Sequence, residues 1–287
     1  LWDSEVDEIV VVEPGRAYRA GLWEYSIAVV LAAAADAQCQ LDSFQIRTSR
    51  YSGIIDVAFY IPPSMEGTMT PLLMGLKELK VSLAFLRHHH GNRATLGTPC
   101  FCRFLSMARN VEVLRLSFAC ADDPCAGFLE WLGLEPDPDQ PVTTEDAGDQ
   151  EHPPCHLPRL RLLELRNANP QFDPEVLRSV VSKFSPTLRS LNLNGVGLLT
   201  QPGVAASGVS IWKPLLQFIA RSCDLTEWHL YQLTELLLSR TASGVDGKRY
   251  GRAGWPTNVW KKHYVGRDAS EMLADAADEL LLTWQDD

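Results

Sequence analysis

Six short windows of the chain are written apolar-x-x-apolar-x-apolar. They are Leu41/Phe44/Ile46, Leu76/Leu79/Val81, Val111/Leu114/Leu116, Leu160/Leu163/Leu165, Leu188/Leu191/Leu193 and Leu225/Trp228/Leu230. Single matches are frequent in a leucine-rich chain, so the test is what stands between the apolar letters. Strand side chains point to alternate faces. The interleaved positions are Ser43, Gln45, Arg47, Glu78, Lys80, Ser82, Val113, Arg115, Ser117, Leu162, Glu164, Arg166, Ser190, Asn192, Asn194, Glu227, His229 and Tyr231. Only Val113 and Leu162 among them are aliphatic. The pattern predicts six half-buried strands that share one polar face.

The segments before the strands carry helical spacing instead. Phe172, Val176, Leu177, Val180, Val181 and Phe184 form one stripe, with Asp173 placed as its cap, Pro174 at its first position and Ser185-Pro186 at its end. Phe101, Phe104, Leu105 and Ala108 form a shorter stripe opened by Pro99; Trp212, Leu215, Leu216 and Ile219 form another, and the run 27–37 a fourth. Successive windows start 35, 35, 49, 28 and 37 residues apart. One strand and one helix per unit is the plan of a leucine-rich-repeat solenoid, a curved parallel sheet on the concave side with helices outside. The expected fold class is therefore α/β. The ninth position of the last five units is Ala84, Ala119, Ala168, Val196 or Leu233 and not the usual Asn or Cys, so the turns after the strands are expected to be irregular.

Two stretches fall outside this plan. Residues 134–156 hold seven acidic residues and five prolines with no Lys or Arg, which predicts a mobile insertion in a solenoid spanning 1–240. Residues 247–264 are basic and aromatic, broken by Gly251, Gly254 and Pro256, and read as a loop. Beyond them Asp268 and Glu271 resemble a capping box. Leu273, Ala276, Ala277, Leu280, Leu281 and Trp284 then share one face of an acidic helix. Residues 241–287 are thus expected to be a basic loop and a capping helix laid over the last repeat.

Composition narrows the function classes. A formal charge of −10 argues against a general nucleic-acid binder. The longest apolar run, 27–35, is far short of a bilayer span. Seven irregularly spaced cysteines and the lack of an Asn-x-Ser/Thr acceptor point to a reducing compartment, cytoplasmic or nuclear. The chain begins with Leu1 and not Met, so the expectation is a fragment or processed product.

Candidate chemistry is sparse. Residues 87–91, RHHHG, contain adjacent histidines that point in alternate directions in an extended loop, with no ligand-spaced Cys or acid nearby. Cys100, Cys102, Cys120 and Cys125 lack the C-x2-C spacing of a thiolate zinc site. Lys248, Arg249, Arg252, Lys261 and Lys262, interleaved with Tyr250, Trp255 and Trp260, could touch nucleic acid; packing on the acidic helix is the plainer reading. No nucleophile elbow, P-loop or H-E-x-x-H occurs. The expectation is no enzyme, no metal and no cofactor, with a metal-dependent enzyme at the cysteines as the outside alternative.

The segments LPRLRLLELRNA, SPTLRSLNLNGVGL, SIWKPLLQFIARSCDLTEWHLYQL and FCRFLSMARNVEVLRLSF resemble the leucine-rich-repeat region of fungal F-box-type proteins, over residues 24–240. The resemblance implies a ribonuclease-inhibitor-like solenoid that captures substrate proteins. It also implies a Skp-type adaptor and cullin recruited through an F-box. No stretch before residue 24 reads as that F-box, so it would lie upstream of Leu1. The partner is then an unidentified protein substrate, with no membrane. The expected binding residues are Arg115, Glu164, Arg166, Asn192, Asn194, His229 and Tyr231, projected side by side from four successive strands. A leucine-rich-repeat scaffold without a ligase role is the alternative.

Overall fold

A computed structural model describes residues 8–12, 26–47, 54–84, 99–118, 124–135, 155–167, 172–200, 209–240, 246–254 and 261–285. In chain order these form β1 (Glu8–Val12), α1 (Ser26–Asp36), β2 (Ser43–Arg47), β3 (Ile54–Ile55), a 3-10 turn (Asp56–Phe59), α2 (Pro63–Gly75), β4 (Glu78–Ala84), α3 (Pro99–Met107), β5 (Val113–Phe118), α4 (Pro124–Gly133) and β6 (Leu162–Arg166). They continue as α5 (Pro174–Phe184), β7 (Ser190–Asn194), β8 (Gly197–Thr200), α6 (Trp212–Ser222), β9 (Glu227–Tyr231), β10 (Thr234–Arg240), β11 (Asp246–Gly254), β12 (Lys261–Val265), α7 (Ala269–Asp278) and β13 (Leu281–Gln285).

All six windows are strands, and they neighbour one another in chain order. The main sheet runs β1-β2-β4-β5-β6-β7-β9-β12, with β3 beside β4. The seven strands from β1 to β9 on that path pair parallel, and β12 closes on β9 antiparallel. The fold is mixed α/β, built on a mostly parallel sheet that does not close into a barrel. Register is tight because a slip of one residue would turn every leucine to water. Phe44, Leu79, Leu114, Leu163, Leu191 and Trp228 therefore stand in one cross-strand row, each 2% exposed or less.

The helices bury their stripes on that apolar face. Side by side, α1 packs on α2, α2 on α3, α4 on α5, α5 on α6 and α6 on α7. In α5 the Asp173 side chain accepts from the Glu175 N–H at 2.9 Å and Pro174 occupies the first turn, as the sequence predicts. Gly133 ends α4 where a Cβ would meet Ser179 and the Val180 nitrogen at 3.1 Å, so only glycine lets α4 approach α5 this closely. Lys183 of α5 then donates to the Leu132 and Leu134 carbonyls, capping the negative end of α4. Toward the first strands the core turns aromatic: Phe59 meets Phe101 and Phe104 edge-on at 4.7 and 5.3 Å.

Several expectations are corrected. The turns after β6, β7 and β9 are regular: Asn167, Gly195 and Gln232 directly follow their strands, all left-handed, with φ of 52°, 64° and 50°. The corner keeps ladder bonds, Asn167 N–H to Asn194 O at 2.7 Å and Gly195 N–H to Tyr231 O at 2.9 Å. Val196 and Leu233, each at the ninth position, are buried just after it. Bulky aliphatics there replace the polar ladder of regular repeats.

The basic stretch is not a loop. Its residues 247–254 lie in β11 and 261–264 in β12, which belong to different sheets. A second, four-stranded sheet, β13-β11-β10-β8, was not foreseen at all. The last helix stops at Asp278, and Leu281 and Trp284 lie on β13 instead. Asp268 makes no side-chain cap bond. β12 pairs with β9 and β11 with β10, so both strands join sheets built by earlier residues. α7 does lie over α6, held by Asp278 against Lys213 and Gln217, and Lys262 pairs with Glu279. Residues 136–154, most of the predicted insertion, are outside the described residues, as is RHHHG.

Candidate functional site

Between the buried leucines, the polar letters form rows of their own. The middle row is Lys80, Arg115, Glu164, Asn192, His229 and His263; the next is Ser117, Arg166, Asn194, Tyr231 and Lys261. Neighbours in a row stand about 4.8 Å apart, the spacing of paired strands. A cavity of about 600 Å³ opens over them. It is lined by Arg115, Glu164, Arg166, Asn192, Asn194, His229 and Tyr231, all seven residues read from the sequence, together with Leu193, Glu227 and Lys261. Glu227 stood in the polar alternation and Lys261 in the basic stretch. What the sequence could not give is that β12 folds back antiparallel and sets Lys261 opposite Tyr231.

Glu164 organises the floor. Although it sits on the polar face, its side chain is only 2% exposed. Arg115 Nη1 lies 3.2 Å from Glu164 Oε2, and Arg166 Nε pairs with Glu164 Oε1. Arg115 Nε also lies 3.2 Å from Glu78 Oε1. The carboxylate is thus covered by the two guanidiniums it orients, one on each oxygen. Glu227 is engaged in the same way: Ser190 Oγ donates to Oε2 at 3.0 Å, and His229 Nε2 lies 3.0 Å from Oε1. His229 stacks on His263 of β12, centroids 5.3 Å apart and planes 10° off parallel. Asn192 is the exception. Its Oδ1 is buried with no hydrogen-bond partner among the described residues, an acceptor left unsatisfied in the sheet face.

No protein-family model, curated protein or solved structure matches this chain. What the site can do must therefore be read from its own chemistry. The lining mixes guanidinium, ammonium, imidazole, phenol and amide groups on a rigid sheet, a set suited to recognition through many contacts.

The other sequence candidates separate in space. Cys100 and Cys102 lie on α3, Cys102 buried; Cys120 and the Cys125 side chain are outside the described residues. Burial, with Asp56 beside it, pushes the Cys100 thiol up to about 12, the reverse of the electropositive setting that makes a thiolate ligand. Among the described residues no group of three His, Cys, Asp or Glu is placed to hold a metal ion. No helix of the described residues is long and apolar enough to cross a membrane. Lys248, Arg249 and Arg252 stand on β11 while Lys261 and Lys262 stand on β12, in different sheets; Trp255 and Trp260 are outside the described residues.

One buried carboxyl was missed. Glu235 of β10, 0% exposed, accepts from Ser210 Oγ and from the Ile211 N–H at 2.9 Å, clamping the start of α6. Trp212 adds its indole N–H to Thr234 O at 3.0 Å. Burial raises the Glu235 pKa, against the opposing pull of the hydrogen bonds from Ser210, Ile211 and Trp212. The fold then keeps a proton that the unfolded chain releases above the ordinary value of 4.5, so the folded state binds more protons. Stability should fall as pH rises through this window and level off above the raised pKa. Glu235→Gln should remove that slope in urea melts measured across the pH range.

Proposed function

We propose that this chain is a leucine-rich-repeat solenoid that captures a protein and, as the resemblance implies, the substrate-recognition part of an F-box-type ubiquitin-ligase subunit. The observation that carries the reading is the single cavity lined by seven chemically varied side chains from four successive parallel strands. A sheet held by ladder bonds loses little freedom on binding, so its contacts convert to affinity with small entropic cost. Arg and Tyr are enriched among interface anchors. The turning of the interleaved polar letters to one face, while the leucines of the six windows are buried on the other, supports repeat stacking as the source of that surface. The acids of the cavity are engaged in pairs that position neighbouring groups.

Capture is tested by cross-linking mass spectrometry on cells expressing the tagged protein. Replacing Arg115, Arg166 and Tyr231 together with alanine should reduce the recovered partner at least about tenfold. Tyr231→Ala alone, which disturbs no ion pair, should reduce it in the same direction. Unchanged recovery in both would remove the polar face from recognition. The ligase connection is tested separately: the Skp-type adaptor should co-purify with a chain carrying the upstream F-box. A chain that captures its partner yet never retains the adaptor would be a scaffold.

A further inference from the structure

We propose that the cavity takes an extended acidic segment of the captured protein, with two carboxylates spaced about four residues apart; this rests on the protein-capture reading. Several charges in the cavity are already paired within the protein. Arg115 faces two carboxylates, Glu78 and Glu164, and its charge is cancelled. Glu164 is buried between guanidiniums, and Glu227 is held by Ser190 and His229. Arg115, Arg166, Glu78 and Glu164 balance as a set, and the donors left for an acidic ligand are the terminal nitrogens of Arg166, which reaches Glu164 through Nε, and the Lys261 ammonium, which has no ion pair among the described residues.

Arg166 and Lys261 occupy one row, with Asn194 and Tyr231 between them. Three strand spacings separate the two cations, about 14 Å. An extended peptide rises about 3.4 Å per residue, so carboxylates at positions i and i+4 span the same distance. A helix could match the span only with about nine residues, at 1.5 Å each. Its backbone N–H groups would be spent internally, whereas an extended segment has them free to meet the side chains that line the cavity. Asn194 and Tyr231 supply further donors and acceptors to the peptide groups passing between the cations.

The formal charge of −10 does not oppose this docking at contact range. At physiological salt the field of the distant acids is screened beyond about 8 Å, while direct ion pairs at the cavity persist. Selectivity for the acidic segment is therefore set by Arg166 and Lys261 and not by the molecule's overall field.

The test uses short synthetic fluorescent peptides of Gly, Ser and Gln, measured by polarisation against the full chain. One carries two glutamates four residues apart, a second carries them two apart, and a third has glutamine at both positions. The first should bind about tenfold tighter than the third, with the second between them. Lys261→Glu, an exposed change that breaks no pair, should abolish that preference, and Arg166→Gln should reduce it. Equal binding of the three peptides, or a preference that survives Lys261→Glu, would overturn the proposal. So would failure of every peptide to bind at about 1 mM. If Tyr231→Ala weakens all three peptides equally, the face still captures protein and only the acidic rule falls. Loss of the capture reading itself would show as unchanged cross-linking in the triple variant.

Discussion

Replacing Trp228 with alanine is expected to cost about 4 kcal/mol and to free α7 from the sheet. Trp228 stands in the apolar row of β9 at 2% exposure and stacks on Tyr264 of β12, centroids 6.5 Å apart. Its indole Nε1 also donates to Ala269 O, at 2.8 Å, at the start of α7. One substitution therefore opens a cavity, strands a buried carbonyl and loosens the pair that brings β12 against β9. Beside the β12–β9 pairing, the start of α7 is tied by Ser270 Oγ, which accepts from the Leu225 N–H and donates to Cys223 O. Urea denaturation should report the loss, and hydrogen exchange should show it concentrated in α7 and β12, with the β5–β6 ladder nearly unchanged. Trp228→Phe keeps much of the ring volume but loses the indole bond, and should recover about half. Loss of protection spread evenly over the sheet would mean that the C-terminal part is not held in this way.

That dependence was partly readable in advance. Trp228 occupied a leucine position in the last window, and the stripe of Leu273, Ala276 and Ala277 announced an amphipathic helix needing a surface to cover. The six parallel strands and the sharing of one face by Arg115, Glu164, Arg166, Asn192, Asn194, His229 and Tyr231 were readable for a plain reason. A period of two leaves no freedom about which way a side chain points once the leucines are buried. The six window strands neighbour one another in chain order, the order that the one-strand, one-helix plan predicts.

The second sheet was not readable. β8, β10, β11 and β13 lack sustained alternation, and Asp246–Gly254 contains glycines and cations that read locally as a loop. Pairing made these strands, chiefly β11 between β10 and β13. The left-handed corner was hidden for another reason. Asn167, Gly195 and Gln232 share a backbone state but no common residue type, so no letter repeats at the register where the geometry does. Gln232 in particular is not a residue whose type announces φ > 0. Long-range pairing likewise set Lys261 beside Tyr231, a neighbour thirty residues away in sequence.

Burial is the remaining gap between pattern and structure, and Glu164 shows it best. The alternation assigns Glu164 to the wet face, beside the residues expected to touch a partner. The fold instead closes Arg115 and Arg166 over it, which makes it a positioning residue for the guanidiniums. Glu164→Ala should therefore act on both stability and capture. Removing one member of a buried ion pair costs about 3–5 kcal/mol. Here the two arginines are 32% and 50% exposed and can turn to water, so a loss of about 2 kcal/mol in urea melts is expected. Glu164→Gln keeps an acceptor for one arginine and should lose about half as much. The stability loss alone would leave most molecules folded, yet partner recovery should fall well beyond the unfolded fraction, because Arg166 is no longer held at its end of the row. Arg166→Ala gives the necessary comparison: it removes the contact directly, and combining it with Glu164→Ala should weaken capture scarcely more than either change alone. Additive losses would show that Glu164 meets the partner itself and does not act through Arg166.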